Sequence, residues 1–192
     1  MGMNYSGNPF VFLIDTLFGL YILAVMLRFL FQWVRAGFNN PISQFLVKIT
    51  QQPLRIFRRF IPPAGQIDFA SIVLLLCLQM IAGLLIFSLQ GVGIDPISLF
   101  FWSLAELLGL LINIFVVAII IQVVMSWVKP GSYNYATSLL YSLTDPLLNW
   151  VRGFLPAMGG LDFSSLFVLI GLQFIKMAIL PPLYQLVGMS LF

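Results

Sequence analysis

Four apolar runs, each long enough to cross a lipid bilayer as a helix, dominate this sequence. They cover residues 10–34, 67–89, 97–128 and 161–187. A helix needs about 20 apolar residues to span the hydrocarbon layer. Hydrophobic residues make up 61% of the chain and charged residues only 8%, against about 25% charged in soluble domains. Because a soluble fold of this size could not bury so much apolar surface, the sequence predicts an all-α membrane protein.

The chain also carries the same motif twice. The first copy reads FIPPAGQIDFAS from Phe60 to Ser71, and the second reads FLPAMGGLDFSS from Phe154 to Ser165, 94 residues later. Each copy follows a basic segment and precedes an apolar run. Since each unit contains two spans, both units enter the membrane from the same side. The pattern therefore predicts two parallel tandem repeats, each consisting of a span, short amphipathic cytoplasmic helices and a second span.

These boundaries divide the chain into four parts. We expect a short tail (1–9), a first repeat (10–89), a linker (90–96) and a second repeat (97–192). The first hydrophobic segment lacks a basic leader and a small-residue cleavage site, so it is expected to remain in place. Aligned residues of the repeats include Trp33 with Trp127, Arg35 with Lys129, Arg59 with Arg152, Asp68 with Asp162, Ser71 with Ser165, and Gln79 with Gln173.

The duplicated motif is interpreted as a helix cap. An aspartate at a helix start accepts hydrogen bonds from the first free backbone N–H groups, and the preceding Pro-Gly residues turn the chain. Such donors are costly to leave unpaired near lipid. The predicted cap residues are Pro62, Gly65, Asp68 and Ser71 in the first repeat, and Pro156, Gly159, Asp162 and Ser165 in the second.

Short helices are predicted in the headgroup layer at residues 53–61 and 146–155. Asn40-Pro41, Gln52-Pro53 and Asp145-Pro146 each suit a helix start with proline in the first turn. The expected basic face, which would bind anionic lipid headgroups or an acidic protein partner, consists of Arg55, Arg58, Arg59 and Arg152. The alternative is a solvated loop whose charges only set the topology.

Lysine and arginine are concentrated in the two segments that carry these helices, whereas the linker and both termini carry none. By the positive-inside rule, the basic segments face the cytoplasm and both termini lie outside it.

Several polar residues lie within the apolar runs, where each needs a partner or a water path. They are Arg28, Gln79, Glu106, Gln173 and Lys176. Glu106 and Lys176 are expected at similar depth and are predicted to form an ion pair. Arg28 is expected to snorkel to the interface, or alternatively to contact Asp68 or Asp162. The glutamines follow a polar stripe that indicates either a helix–helix contact or a hydrophilic pathway.

The residue inventory disfavours catalysis. Cys77 is the single cysteine and there is no histidine, so the sequence offers no disulfide, no cysteine-based metal site and no usual general base. Asp68 and Asp162 could suggest the two catalytic aspartates of an aspartyl protease, but their position at helix starts explains them more simply as caps. We predict no cofactor and no enzyme activity.

The repeated motif resembles that of the bacterial YggT proteins, which are related to YlmG and to plastid proteins of the Ycf19 and CCB3 type. The resemblance covers nearly the whole chain, and it implies a protein of the bacterial inner membrane. It also implies links to osmotic tolerance, potassium-limited growth or septum and nucleoid organisation. The family provides no established catalytic residues. Its plastid role in haem attachment is not inferred, because this chain lacks histidine.

Two functions remain open. The first is a non-enzymatic scaffold or assembly factor that binds anionic lipids and a protein at its cytoplasmic face. The alternative is a small ion pathway, of the potassium type, that requires a homo-oligomer because four spans enclose little space. No nucleic-acid partner is expected.

Overall fold

The computed structural model describes residues 8–37, 39–61, 68–128, 134–154 and 164–188. These residues form the helices α1 (Pro9–Trp33), α2 (Pro41–Phe60), α3 (Phe69–Leu89), α4 (Pro96–Val128), α5 (Tyr135–Arg152) and α6 (Ser164–Leu186). Four of them, α1, α3, α4 and α6, are long and apolar enough to cross a membrane. The prediction of an all-α protein with four spans is confirmed.

The connecting helices α2 and α5 are longer than the sequence predicted. Asn40 caps α2 by accepting a hydrogen bond from the Ile42 N–H at 2.9 Å, and Asn134 caps α5 through a capping box with Thr137. The predicted boundaries 53–61 and 146–155 were therefore wrong. Pro53 and Pro146 lie inside the helices, where a missing N–H leaves the carbonyl four residues earlier without its usual donor.

For Pro53 the structure shows how this lost bond is replaced. The carbonyl concerned belongs to Ile49, and it accepts a hydrogen bond from the Tyr21 hydroxyl of α1 at 3.4 Å. Because a neighbouring helix supplies the donor, α2 continues through the proline. A tertiary contact of this kind has no local sequence signal.

The helices pack in the order of the repeats. Within each repeat the two spans pair, α1 with α3 and α4 with α6, and the connecting helix covers that pair. The repeats meet mainly where α3 packs against α4. Leucines occupy matching places in the two connecting helices: buried Leu54 corresponds to buried Leu148, and buried Leu46 to half-buried Leu140. The core is therefore built twice from equivalent residues.

Close approach of α3 and α4 depends on Gly83. A Cβ atom at this position would lie 2.5 Å from Cζ3 of Trp102 and 2.9 Å from Cδ1 of Leu99. The Trp102 ring is held in place, since it is buried and makes an edge contact with Phe87 at a centroid distance of 5.3 Å. Small residues allow such approach between spans, where lipid provides no hydrophobic driving force.

We predict that Gly83→Ala destabilises the protein by about 1–3 kcal/mol, because the buried Trp102 ring must shift. Thermal unfolding in mild detergent measures the effect. Gly19→Ala is the matched control, since a Cβ there meets no atom within 4 Å, and it should leave stability unchanged or slightly raise it. Equal melting temperatures for both variants would contradict the proposed close packing.

Candidate functional site

A buried polar cluster joins α1, α2 and α3 at one end of the first repeat. We call it the polar joint, and define it as Arg28, Gln32, Thr50, Arg58, Asp68 and Ser71. Two of these residues come from α1, two from α2, and two from the N-cap and first turn of α3. The joint fixes the connecting helix to both spans, and it contains several of the residues that the sequence marked as functional.

The centre of the joint is an ion pair. Nη2 of Arg58 lies 2.5 Å from Oδ2 of Asp68, and the same carboxylate oxygen accepts a hydrogen bond from the Ser71 hydroxyl at 2.8 Å. Arg58 also donates to Oε1 of Gln32 at 3.4 Å. The side chain of Asp68 is completely buried, while that of Arg58 is 35% exposed. The pair therefore connects a buried acid on α3 to a partly wet base on α2.

The role predicted for Asp68 as a cap was wrong in its chemistry. Asp68 occupies the N-cap position of α3, but its side chain makes no capping hydrogen bond to the helix backbone. Its carboxylate is instead taken up by Arg58 and Ser71, because a charged donor forms a stronger bond than a backbone N–H. Burial raises the pKa of Asp68. The hydrogen bonds from Arg58 and Ser71 and the charge of Arg58 together lower the pKa by more than burial raises it, so the pKa of Asp68 lies below its ordinary value.

Arg28 is the second cation of the joint, and it does not snorkel. It is only 6% exposed, and its Nη1 donates to Oγ1 of Thr50 at 2.8 Å and to the Val47 carbonyl at 3.3 Å. The predicted snorkelling of Arg28 was wrong, because α2 covers this part of α1 and offers acceptors closer than water. In the described part of the chain Arg28 forms no ion pair with Asp68, although the Asp68 charge acts on it, and Asp162, the other predicted partner, lies outside that part.

The second repeat contains the same contact in neutral form. Gln122 and Thr144 stand 94 residues after Arg28 and Thr50, and the Thr144 hydroxyl donates to Oε1 of Gln122. Both threonines are fully buried. The connecting helix is thus fixed to its span at the same point in each repeat, with an amide replacing a guanidinium.

The structure also corrects the alignment of the arginines. At the 94-residue spacing Arg152 corresponds to Arg58, which binds Asp68, and not to Arg59. Arg152 is exposed and donates to Oδ1 of Asn149 at 3.0 Å. Of the predicted cap motif, Pro62, Gly65, Pro156, Gly159 and Asp162 lie outside the described residues, while Ser165 is half-buried near the start of α6.

The remaining residues of the predicted basic face are on the surface. Arg55 and Arg59 are exposed on α2, together with Lys48. Arg58 points into the polar joint instead. The sequence grouped all three arginines by helical spacing, but only tertiary packing could show that one of them faces the protein.

Glu106 and Lys176 do not form the predicted ion pair. Lys176 donates to Oδ1 of Asn113 at 2.8 Å, and Glu106 accepts from the Tyr184 hydroxyl at 2.9 Å. Both contacts join α4 to α6. Glu106 lies seven residues before Asn113, about 10 Å along the helix axis, so depth counted from the sequence misplaced the two charges by about two turns.

The two intramembrane glutamines have different surroundings. Gln79 is half-buried on α3, which packs against α1, α2 and α4. Gln173 is exposed on α6, whose main contacts among the described residues are with α4 and α5. The polar stripe predicted on each second span therefore packs against protein at Gln79, whereas in the second repeat it is exposed at Gln173 and contacts α4 at Lys176.

Within the described ranges no group of three or more histidine, cysteine, aspartate or glutamate residues is placed to hold a metal ion. Cys77 is half-buried in α3. The polar joint fixes the helices to one another, because its one carboxylate binds a guanidinium and a hydroxyl of the protein.

Comparisons with known proteins match both repeats. The family model described as CCB3/YggT matches residues 7–89 and 101–183. An uncharacterized protein of Pseudomonas aeruginosa is 41% identical over 98% of this chain and 95% of its own length. An uncharacterized protein YggT of Escherichia coli K12 is 38% identical over 90% and 89%, and one of Haemophilus influenzae is 31% identical over 85% and 87%. No solved structure matches.

We predict that Asp68→Asn destabilises the protein by about 1–3 kcal/mol, because it leaves the Arg58 charge without its partner; the partial exposure of Arg58 keeps the loss below that of a fully buried pair. Unfolding in detergent at neutral pH measures it. Asp145→Asn on α5 is the matched control and should change little.

Since the folded pKa of Asp68 is lowered, the stabilisation is present above the unfolded pKa of about 4 and is lost on acidification below it. A destabilisation by Asp68→Asn that persists undiminished in an Arg58→Met background would count against the pair.

A second prediction concerns the separated intramembrane charges. Because Glu106 and Lys176 have different partners, the effects of Glu106→Gln and Lys176→Met on the free energy of unfolding should add within about 0.5 kcal/mol. A double-mutant cycle measures the coupling. If the double variant were instead more stable than the sum of the two single effects predicts, the direct Glu106–Lys176 ion pair predicted from the sequence would be supported.

Proposed function

The chain belongs to the CCB3/YggT family, and from that premise we propose that it is a non-enzymatic scaffold or assembly factor of the bacterial inner membrane. Its spans hold the connecting helices at the cytoplasmic membrane surface, where they bind anionic lipids and a protein partner. The resemblance to the YggT family, which implies a link to osmotic tolerance, supports a role in osmotic tolerance or cell-envelope organisation.

The surface of α2 is the observation that carries this proposal. One side of the helix packs on the spans through Ser43, Leu46, Thr50 and Leu54. A second side is apolar and yet exposed, and it consists of Ile42, Phe45, Ile49, Ile56 and Phe60. At 100° per residue these five fall within about 60° of one another. A soluble helix would not leave such a row uncovered.

The third side of α2 is basic. Lys48, Arg55 and Arg59 are exposed and fall within about 40° of one another on the helix. A helix with adjacent apolar and basic sides lies in the headgroup layer, with its apolar side directed into the acyl region. Each basic residue near an anionic leaflet contributes about 1 kcal/mol of attraction. This agrees with the cytoplasmic placement that the positive-inside rule predicts, with both termini outside.

The ion pathway is the second candidate, and the environment of Gln173 favours it. An amide exposed on the surface of a spanning helix lacks a water partner in lipid, so a neighbouring copy that covers it would be stabilised. A homo-oligomer formed there could enclose polar groups from several copies. Lys176, close to Gln173 on α6, would place positive charge beside such a path, which disfavours cation passage.

The prediction for the scaffold is loss of partner binding without loss of folding. Arg55→Glu with Arg59→Glu should abolish co-purification of the partner from membranes and abolish growth rescue at high osmolarity in a strain that lacks this protein. Arg55→Lys with Arg59→Lys is the matched control, since it keeps the charge, and it should retain both. Membrane levels of the variants must be equal for the comparison.

Flux through liposomes separates the two candidates. The scaffold proposal predicts no potassium flux from reconstituted protein at any potential. Potassium flux that disappears in Gln79→Leu with Gln173→Leu would overturn it in favour of the ion pathway.

A further inference from the structure

An open apolar groove lies between the two repeats. It has a volume of about 480 Å³ and is formed by α1, α4 and α5, with one residue from α2. Leu23, Leu27 and Phe31 line it from α1, Val117 and Ile121 from α4, and Leu139 from α5. Among the described residues α1 packs on α2, α3 and α5 but at most marginally on α4, so the groove marks a stretch where two spans are not in contact.

A second pocket of about 480 Å³ adjoins the groove, and we call it the polar pocket because most of its lining residues are uncharged polar ones, although carbon atoms make up most of its exposed wall. It is lined by Gly37, Asn39, Asn40, Asn134, Tyr135 and Ser138, and it shares Leu139 with the groove. Here the starts of α2 and α5 meet, since Nδ2 of Asn40 donates to the Tyr135 carbonyl at 2.6 Å. Asn40 and Asn134 are repeat counterparts, so each repeat contributes its first connecting turn to one pocket.

The two cavities together change from an apolar lining to one that contains five uncharged polar residues. The groove follows α1 from Leu23 to Phe31, which is about 12 Å at 1.5 Å per residue. This length is close to the hydrocarbon thickness of one leaflet, about 15 Å. Its apolar end lies towards the middle of the span, and its other end opens into the polar pocket at the end of α1 where the connecting helices begin. The change from apolar to polar therefore occurs where acyl chains meet headgroups.

We propose that this site binds a glycerophospholipid of the cytoplasmic leaflet. One acyl chain fills the groove, and the phosphodiester lies in the polar pocket among the amide of Asn39, the hydroxyl of Tyr135 and the first turns of α2 and α5. The starts of α2 and α5 carry partial positive charge, and because Asn40 and Asn134 already accept from their first N–H groups, their attraction for a phosphate acts through space. The proposal goes beyond the scaffold role, because the lipid here is a bound component that joins the two repeats.

Chemistry favours a lipid over a protein occupant. The described side chains that line the two cavities carry no charge that would select an acidic or basic peptide. An empty groove would lose dispersion contacts on every wall, and in a membrane an acyl chain is always available to restore them.

The test is lipid retention by the full-length protein, measured by native mass spectrometry after delipidation in detergent and titration with phosphatidylglycerol. The wild type should bind one lipid at least tenfold more tightly than any further lipids. Val117→Trp should abolish this tight binding by filling the groove, where Val117 is 53% exposed. Val124→Trp is the matched control, because Val124 is a similarly exposed valine of α4, at 47%, that does not line the groove.

A headgroup variant tests the polar pocket independently. Asn39→Asp places a negative charge beside the phosphate and should weaken the tight binding about tenfold, whereas Gln52→Glu, at an exposed position of α2 outside the pocket, should not. Tight binding that survives both Val117→Trp and Asn39→Asp would overturn the proposal. So would a dimer of the wild type that Val117→Trp dissociates, since a second copy would then occupy the groove. The liposome flux experiment does not depend on this lipid, so the two proposals fail separately.

Discussion

A charge that leaves water at the edge of a membrane must find its partner within the protein, and this constraint holds the connecting helices in place. Arg58 and Asp68 join α2 to α3 by an ion pair, while Arg28 joins α1 to α2 through Thr50. Breaking either contact would leave a buried polar group unpaired, at a cost far above that of an exposed one. The position of α2 therefore depends on polar contacts as well as on packing.

The second repeat has a contact equivalent to the Arg28–Thr50 contact of the polar joint, but with different chemistry. The Thr144–Gln122 contact repeats Thr50–Arg28 without a charge, so the second connecting helix is fixed at the same point by a neutral bond. The second repeat instead has two charged residues within its spans, where Lys176 and Glu106 each bond to a polar side chain of the neighbouring span. The repeats share a packing plan and differ in where they carry charge.

The two sides of the junction between the repeats are packed differently. On the α3–α4 side Gly83 lets the Trp102 ring pack directly on the helix, while its counterpart in the second repeat, Met177, is 75% exposed. On the α1–α4 side the spans leave a groove, which we assign to a lipid. A scaffold that holds two surface helices through such a junction would couple their positions to the lipid it contains.

The sequence by itself determined the class, the four spans, the duplication and the Asn40-Pro41 helix start, because these follow from local apolarity, local spacing and local capping chemistry. It also identified Arg28, Arg58 and Asp68 as residues of interest. Only the tertiary structure decided their partners: Arg58 instead of a backbone cap for Asp68, Thr50 instead of water for Arg28, and Tyr184 instead of Lys176 for Glu106. Side-chain pairing depends on which faces of different helices meet and at what depth, and neither is encoded in the spacing along one helix.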